Sequence, residues 1–407
     1  MIISFRFSNF RSIHEPVELS FEASRSEDLE EYYVVRPTPK LRLLKMAAIY
    51  GANASGKSNV VEALDFLRLL VLNPVRKKTD AIVYDRFAFT EQQTNSTFEL
   101  NFVHQGTRYD YAVTLNPAFI VSETLHFYQP NKALVFSRTT DPENQLSTIE
   151  TGSKIKLAAD DRKVLEASVL WNNTVLGGFL KVNVEFEELR EVGSWFFQNI
   201  TAVINPKSDL HPFIARELER GSIDKNKLLD LLKKANLNIV DMKFEIKETI
   251  LDKKEVDKYF EKPPDNGIFN PKNRIASGVI QSKYLSFQHT VLINGIQKTY
   301  DLNYARQSFG TQRYFAFSGL LIYLLESPKT VIIDEIESSL HPALLKHFLL
   351  LFLRNSKESQ LIFTTYQREF MRETDMLRND IFHFTEKRPD GSTDLFAFTD
   401  FDSSVIR

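Results

Sequence analysis

The sequence predicts an α/β protein whose sheet is interrupted by a long insertion. Three observations carry this. An apolar strand, LRLLKMAAIY (41–50), runs through GANASGKS (51–58) into the helically spaced SNVVEALDFLRLLV. Far along the chain a second apolar strand, TVIIDE (330–335), ends in two carboxylates. A helix and a third apolar strand, QLIFTT (360–365), follow it. The order is αβ material, a helical block, then αβ material again.

The elements follow in order. Ile3, Phe5 and Phe7 alternate, as do Val17, Leu19 and Phe21, which is strand periodicity broken by SNFRSIHEP. Residues 25–40 are charged and end in VRPTPK, which reads as a loop. After GANASGKS, the spacing of Val60, Val61, Leu64, Leu67 and Leu70 predicts a helix stopped by Asn73-Pro74. Residues 97–115 read as a hairpin: Phe98, Leu100 and Phe102 alternate, HQGT turns, and Tyr109, Tyr111 and Val113 alternate again. From about 158 to 245 the pattern is helical, as in FIARELERGSIDKNKLLDLLKKANL, an amphipathic pair expected to pack within its own domain. Residues 250–280, with KPPDNG and NPKN, read as a mobile connector. Strand character returns at YLSFQHTVLINGIQKTYDL, a helix at 312–326, and a closing hairpin around Pro389-Asp390-Gly391. The expected division is 1–157, a helical insertion at 158–284, and 285–407.

Bulk properties narrow the class. With 407 residues and 43 % hydrophobic residues, the chain can form two or three domains or one with a large insertion. The net charge of −2 argues against a surface built throughout for nucleic acid. Arg76-Lys77-Lys78 and Lys233-Lys234 read as solvated faces. Cysteine is absent, which rules out disulfide, iron–sulfur and thiol-nucleophile chemistry. MIISFRFSNF is not a signal peptide, and no apolar run is long enough to span a membrane. A cytoplasmic protein is expected.

GANASGKS matches G-x-x-x-x-G-K-[ST] in full, with Gly51, Gly56, Lys57 and Ser58. The glycines let backbone N–H groups turn inward around a phosphate, and the following helix presents its positive end. Asn53, Ala54, Ser55 and Asn59 complete the expected nucleotide-binding loop. Lys57 would reach the β- and γ-phosphates, and Ser58 would ligate Mg²⁺. Asp334, at the end of a buried strand, would hold the Mg²⁺ shell, and Glu335 would act as general base toward the attacking water. In QSFGTQR (307–313), Ser308 and Gly310 sit on a turn entering a helix, a second anion-binding geometry.

Taken together, NFRSI at 9–13, IYGANASGKSNVVEAL, the Ser-x-Gly turn and IIDEIESSLHP resemble the ABC-type ATPase heads of the RecF, SMC and OLD-like group. They resemble above all its stand-alone bacterial ATPases, several of which serve antiphage systems such as Septu and PARIS. The resemblance covers roughly 1–130 and 285–390. It implies an ABC-ATPase head, with a P-loop sheet core, an antiparallel β part and a mainly helical insertion. It further implies ATP and Mg²⁺ sandwiched between two protomers of a homodimer or higher homo-oligomer, with Ser308 and Gly310 contacting the γ-phosphate in trans. Ser338 to His341 would correspond to the D-loop, with His341 where transporters carry aspartate; His341 reads equally as a helix-start residue before Pro342. The Q-loop glutamine is not placed; Gln92 and Gln93 are the nearest candidates. Where the group carries a γ-phosphate-sensing histidine, this chain has Tyr366. A tyrosine there can donate one hydrogen bond but is neutral at pH 7 and does not act as a titrating base. The expectation is retained ATP binding with slow hydrolysis.

Three functions compete. The first is an ATP-hydrolysing head that serves as sensor or motor of an antiphage system. The second is a hydrolysis-poor, nucleotide-gated scaffold for a separate nuclease or toxin effector. The third is a DNA-repair-type, DNA-binding ATPase. A fused nuclease is disfavoured because only about 40 residues follow Tyr366, too few for another catalytic domain.

Overall fold

A computed structural model describes the chain except for residues 91–93, 236, 251–278, 339–340, 368, 370, 372–374 and 402–407. The chain divides into two units. The first comprises Met1–Pro206, Pro328–Ile336 and Ser356–Arg407; the second comprises Lys207–Ser327 and Glu337–Asn355.

The first unit holds two main sheets. One is antiparallel and built from β1 (Ile2–Ser8), β2 (Val17–Ser20), β6 (Ser96–His104), β7 (Thr107–Leu115), β8 (Ile120–Tyr128), β9 (Lys132–Asp141) and β10 (Leu146–Thr151). Its spatial order is β10-β9-β8-β7-β6-β1-β2. Register pairs Phe7 with Phe98 and Phe5 with Leu100, so the alternation read in the sequence places one apolar face together. Phe5, Phe7 and Phe98 stack there, at 5.0 Å between Phe5 and Phe7 and 6.4 Å between Phe7 and Phe98. The turn between β6 and β7 is made by Gln105 and Gly106, both at positive φ (48° and 77°), the geometry that matches strand twist in a two-residue hairpin.

The other sheet is formed by β14 (Thr330–Ile333), β15 (Gln360–Thr365), β5 (Met46–Gly51), β16 (Phe382–Lys387) and β17 (Thr393–Ala397), in that spatial order. The first four strands are parallel and β17 is antiparallel. Every residue of β14 and β15 is buried, which is why these strands read as continuous apolar runs rather than alternating ones. Gln360, one of the polar residues at the strand ends with Thr330, Thr364 and Thr365, is fully buried. Its side chain accepts from the Ile2 N–H and donates to the Ile2 and Leu44 carbonyls, tying β1 to the start of β15.

Helices of this unit are α1 (Glu30–Tyr33), α2 (Lys57–Leu72), α3 (Ala159–Ser168), α4 (Val175–Phe179) and α5 (Glu187–Asn199). On the sequence reading, residues 158–206 open a helical insertion; they pack instead as part of the first unit. The reason is a buried polar network that composition does not reveal. Glu123, fully buried on β8, accepts hydrogen bonds from the Tyr111 hydroxyl and the Val175 N–H. Arg138 on β9, 1 % exposed, donates to the Trp171 and Ile120 carbonyls. Asn172 and Asn173 bind carbonyls of residues 75–80. These bonds fasten 170–175 to the sheet. Trp195 of α5 stacks on Phe102 at 3.9 Å.

A second departure lies at 25–44. The expected loop contains α1 and a small hairpin of β3 (Val34–Thr38) and β4 (Leu41–Leu44). The expected single strand 41–50 is split at Lys45, a buried residue whose ammonium donates to the Ser356 carbonyl.

The second unit contains α6 (His211–Arg220), α7 (Lys225–Lys234), β11 (Ile239–Ile250), β12 (Val279–Ile293), β13 (Ile296–Asn303), α8 (Phe309–Glu326) and α9 (Pro342–Asn355). Three antiparallel strands run in the order β11-β12-β13: β11 and the start of β12 fall within the expected helical insertion, whereas the rest of β12 and β13 lie where strand character was expected, at 284–302. The expected connector at 250–280 falls almost wholly outside the described residues. The α6–α7 pair packs inside its own unit, as read. Gly221 closes α6 at φ 75°, Asp224 caps α7 through the Asn226 and Lys227 amides, and Tyr314 of α8 donates to the Leu231 carbonyl. Among the described residues no helix is long and apolar enough to cross a membrane.

His383 lies on β16 and is 1 % exposed. Burial lowers its pKa from 6.5 to about 4. The unfolded chain therefore binds one more proton between those values. The associated stability is complete above pH 6.5 and is lost as pH falls toward 4, on the order of 3 kcal/mol in all. In melting curves from pH 4 to 7, wild type is expected to lose several degrees more than His383→Phe. Parallel curves would show that the imidazole does not set this dependence.

Candidate functional site

The register of the parallel strands decides what meets at their C-terminal edge. Thr365 pairs with Tyr50 and Thr385 pairs with Gly51, while Ile333 pairs with Phe363. Asp334 therefore falls beside Thr364 and the start of the glycine-rich loop. Ser58, in the first turn of α2, donates to Asp334 at 2.9 and 3.1 Å from its two carboxylate oxygens. Thr364 donates to the same carboxylate at 2.5 Å. The Asp334 N–H is held by the Ile204 carbonyl at 2.8 Å. Two residues far apart in sequence, Ser58 and Asp334, are thus brought into contact.

Glu335 follows at φ +49°, a left-handed conformation that a residue with a side chain adopts at a cost. Its N–H donates to the Thr364 hydroxyl at 2.8 Å. One threonine hydroxyl therefore orients both members of the acidic pair. The strain turns the chain sharply as it leaves β14, so Asp334 and Glu335 do not continue the strand.

The loop at 51–58 is shaped by backbone more than by side chains. Ala54 and Gly56 have φ of 61° and 101°. Gly56 caps α2 without a side chain, so no side-chain acceptor occupies the first helical amides. A Cβ at Gly56 would stand 2.4 Å from the Thr393 hydroxyl, and one at Gly51 2.2 Å from that of Thr385. Lys57 is 8 % exposed, and its ammonium lies inside the loop, donating to the Gly51 and Ala52 carbonyls at 2.9 Å each. Asn53 is exposed on the loop.

A ring of hydroxyls outside the motif holds this shape. Ser55 bonds Thr385 at 2.6 Å. Thr393 donates to the Ser55 carbonyl and shares a bond with Ser12, both at 2.8 Å, and Asn59 donates to Ser12 at 2.6 Å. Ser12, Thr364, Thr385 and Thr393 were not singled out from the sequence. The available signal is positional: Ser12 lies within NFRSI, Thr364 is the penultimate residue of the third apolar strand, and the two others lie on the strands of the closing hairpin.

The remaining expected residues lie elsewhere. Ser308 caps α8 by accepting from the Thr311 N–H at 3.1 Å, with Gly310 in the first turn. Both belong to the second unit. Tyr366 directly follows β15 and is 54 % exposed. His341 is exposed and its Nδ1 accepts from the Ala343 N–H at the start of α9, the helix-start role; Ser339 and Leu340 of the expected D-loop lie outside the described residues. So do Gln92 and Gln93.

Among the described residues there is no group of three or more His, Asp or Glu able to hold a metal. The pair Ser58–Asp334 offers hard oxygen donors but an incomplete shell, which suits a Mg²⁺ ion that keeps waters and takes its other ligands from phosphate.

The hydroxyl ring yields a test. Thr393→Val keeps the volume and the backbone bond to Ser12 but leaves the Ser55 carbonyl without its donor. Titration calorimetry with ATP is expected to give affinity lowered about tenfold, roughly one buried hydrogen bond, with Thr393→Ser near wild type. Equal affinity in wild type and Thr393→Val would remove the ring from any part in shaping the loop.

The chain is similar in structure to the "SMC head domain from Thermotoga maritima", at 14 % identity over 97 % of this chain and 98 % of that one, with a TM-score of 0.43. It is similar to an SmcHead solved bound to the C-winged helix domain of ScpA, at 14 % identity over 100 % and 99 % of the two chains, TM-score 0.45. It is also similar to an Smc head with an extended coiled coil, bound to the C-terminal domain of ScpA derived from Pyrococcus furiosus, at 12 % identity over 98 % and 97 %, TM-score 0.41. No curated protein matches it. The molecule is a mixed α/β protein, as the motifs led one to expect. The match to the family described as "AAA domain, putative AbiEii toxin, Type IV TA system" spans residues 46–365, from the first residue of β5 to the last of β15, and the chain belongs to that family.

Proposed function

We propose that the chain binds Mg-ATP at the 51–58 loop and that two protomers close around it. The observation that carries this is the contact of Ser58 with Asp334 at the mouth of a glycine loop whose helical amides carry no side-chain cap. Gly51, Asn53, Ala54, Ser55, Gly56 and Asn59 form the cradle. Lys57 meets the terminal phosphates, and Ser58 with Asp334 holds the cation. Mg²⁺, when bound, neutralises charge developing on the transferred phosphoryl group. Glu335, oriented through Thr364, takes a proton from the attacking water. Ser308 and Gly310 of the second protomer supply an additional helix N-terminus to the γ-phosphate.

At the level of the cell, the reading is a cytoplasmic sensor or motor subunit of a bacterial antiphage system, with the nuclease or toxin on a separate protein. The family's description as a putative toxin of a type IV system supports a two-component arrangement. The hydrolysis-poor scaffold is favoured over brisk turnover by one feature, Tyr366. It follows the strand that carries Thr364, stands half-exposed, and lacks the basicity of the histidine it replaces.

The tests separate binding from turnover. Lys57→Ala is expected to lose ATP binding and, with it, any ATP-dependent increase in mass. Glu335→Gln is expected to keep binding while turnover falls by roughly 10²–10⁴. Tyr366→His is expected to raise turnover and Tyr366→Phe to leave it low, measured with radiolabelled ATP. Failure of wild type to bind ATP overturns the reading; brisk hydrolysis insensitive to Tyr366→Phe overturns the scaffold version of it.

A further inference from the structure

We propose that the groove between the C-terminal half of α2 and α5 is a docking site for an amphipathic, acidic helix of another protein. The groove is a cavity of about 640 Å³ within the first unit. One wall is α2, through Leu69 and Leu72. The facing wall is one stripe of α5, Arg190, Gly193, Ser194 and Phe197, at i, i+3, i+4 and i+7. Leu180 closes one end.

Two features show that this surface is unfinished in the isolated chain. Its apolar side chains face water: Phe197 is 76 % exposed, Leu180 47 % and Leu69 38 %. Phe197 is the more telling because its neighbours Trp195 and Phe196 are buried against the antiparallel sheet, so α5 has already satisfied its core face and still presents this large apolar side chain to water. Gly193 keeps the floor open, since a Cβ there would touch only Leu180, at 3.6 Å.

Charge selects the occupant. Arg68 and Arg190 line the groove, and no carboxylate does. Arg68 binds Asp65 through Nε, whereas Arg190 has no ion pair among the described residues. A two-turn helix with apolar residues at i, i+3, i+4 and i+7 would cover Phe197, Leu69 and Leu180. Carboxylates on its flanks would meet the two guanidinium forks. A second copy of this chain fits poorly: a twofold contact sets the same patch against itself and would oppose Arg190 to Arg190. α2 gives the site a physical link to the nucleotide loop, because the helix that forms one wall begins at Lys57, about 20 Å away along its axis. The inference does not rest on nucleotide binding, and its test is run without nucleotide.

The probe is a fluorescein-labelled 14-residue helical peptide with leucine at i, i+3, i+4 and i+7 and glutamate at the flanking positions. A matched peptide carries lysine for glutamate. Anisotropy titrations use the full chain. The acidic peptide is expected to bind in the micromolar range and the lysine peptide at least tenfold more weakly. Phe197→Asp and Gly193→Met, both on the groove surface, are each expected to weaken acidic-peptide binding at least tenfold with unchanged melting temperature. Arg190→Glu is expected to invert the preference between the two peptides. Lys57→Ala is expected to bind the peptide as wild type does, which keeps this test separate from that of the nucleotide site. Absence of acidic-peptide binding at 100 µM, equal binding of both peptides, or binding undiminished by Phe197→Asp overturns the proposal. Self-association of wild type that Phe197→Asp abolishes overturns it as well, because the occupant is then a second copy.

Discussion

Everything at the site depends on the parallel register of β14, β15 and β5. Three apolar strands laid side by side, all pointing the same way, end at one edge of the sheet. Their ends are the first places where the chain can carry polar groups without burying them unpaired. That is why Asp334, Thr364 and the glycine loop arrive together. A slip of one residue in β14 would turn Asp334 to the other face of the sheet and leave Ser58 facing a backbone. The apolar strand interiors therefore do more than stabilise: they fix the relative height of the polar ends.

The antiparallel sheet sets a different constraint. It holds α2 from the far side through aromatic contacts, with Phe66 of α2 lying 5.2 Å from Phe98 and 5.5 Å from Phe10. It also buries Glu123 and Arg138, neither of which is inexpensive to take from water. Burial raises the Glu123 carboxyl to about 7, against the opposing pull of Arg138 and the Val175 amide. Such a network is a weak source of stability and a strong source of placement. Its bonds from the sheet to this segment meet backbone groups of 170–175, so it specifies where the segment packs on the sheet.

What the sequence makes legible is what depends on local backbone chemistry or on a run of like residues. Gly51 and Gly56 are readable because only a residue without Cβ fits, and the apolar runs before Asp334 and Tyr366 are readable because both faces of the sheet are covered. The helix after Lys57 announces itself by spacing. What escapes is long-range and side-chain specific. Nothing near Thr385 or Thr393 marks them as the ceiling of a loop at 51–58, since each reads as an ordinary strand residue of a closing hairpin. Residues 158–206 escape for the same reason: their helical spacing is plain, but their allegiance is set by Glu123 and Arg138 on other elements. The strands at 239–250 and 279–293 flank a charged stretch, and that stretch hid their pairing.

The packing of Gly56 under Thr393 also orders events in time. β5 has both of its sheet neighbours, β15 and β16, near the far end of the chain, and the ceiling of its loop lies later still. A growing polypeptide can make the glycine loop early but cannot finish its surroundings until residue 393 has left the ribosome. Pairings of such long sequence separation also form slowly. A chain cut short anywhere in the second unit would therefore carry the whole glycine-loop motif with Ser12 and Asn59 but without Thr364, Thr385 and Thr393. Completion of synthesis is thus the step that finishes the surroundings of the loop.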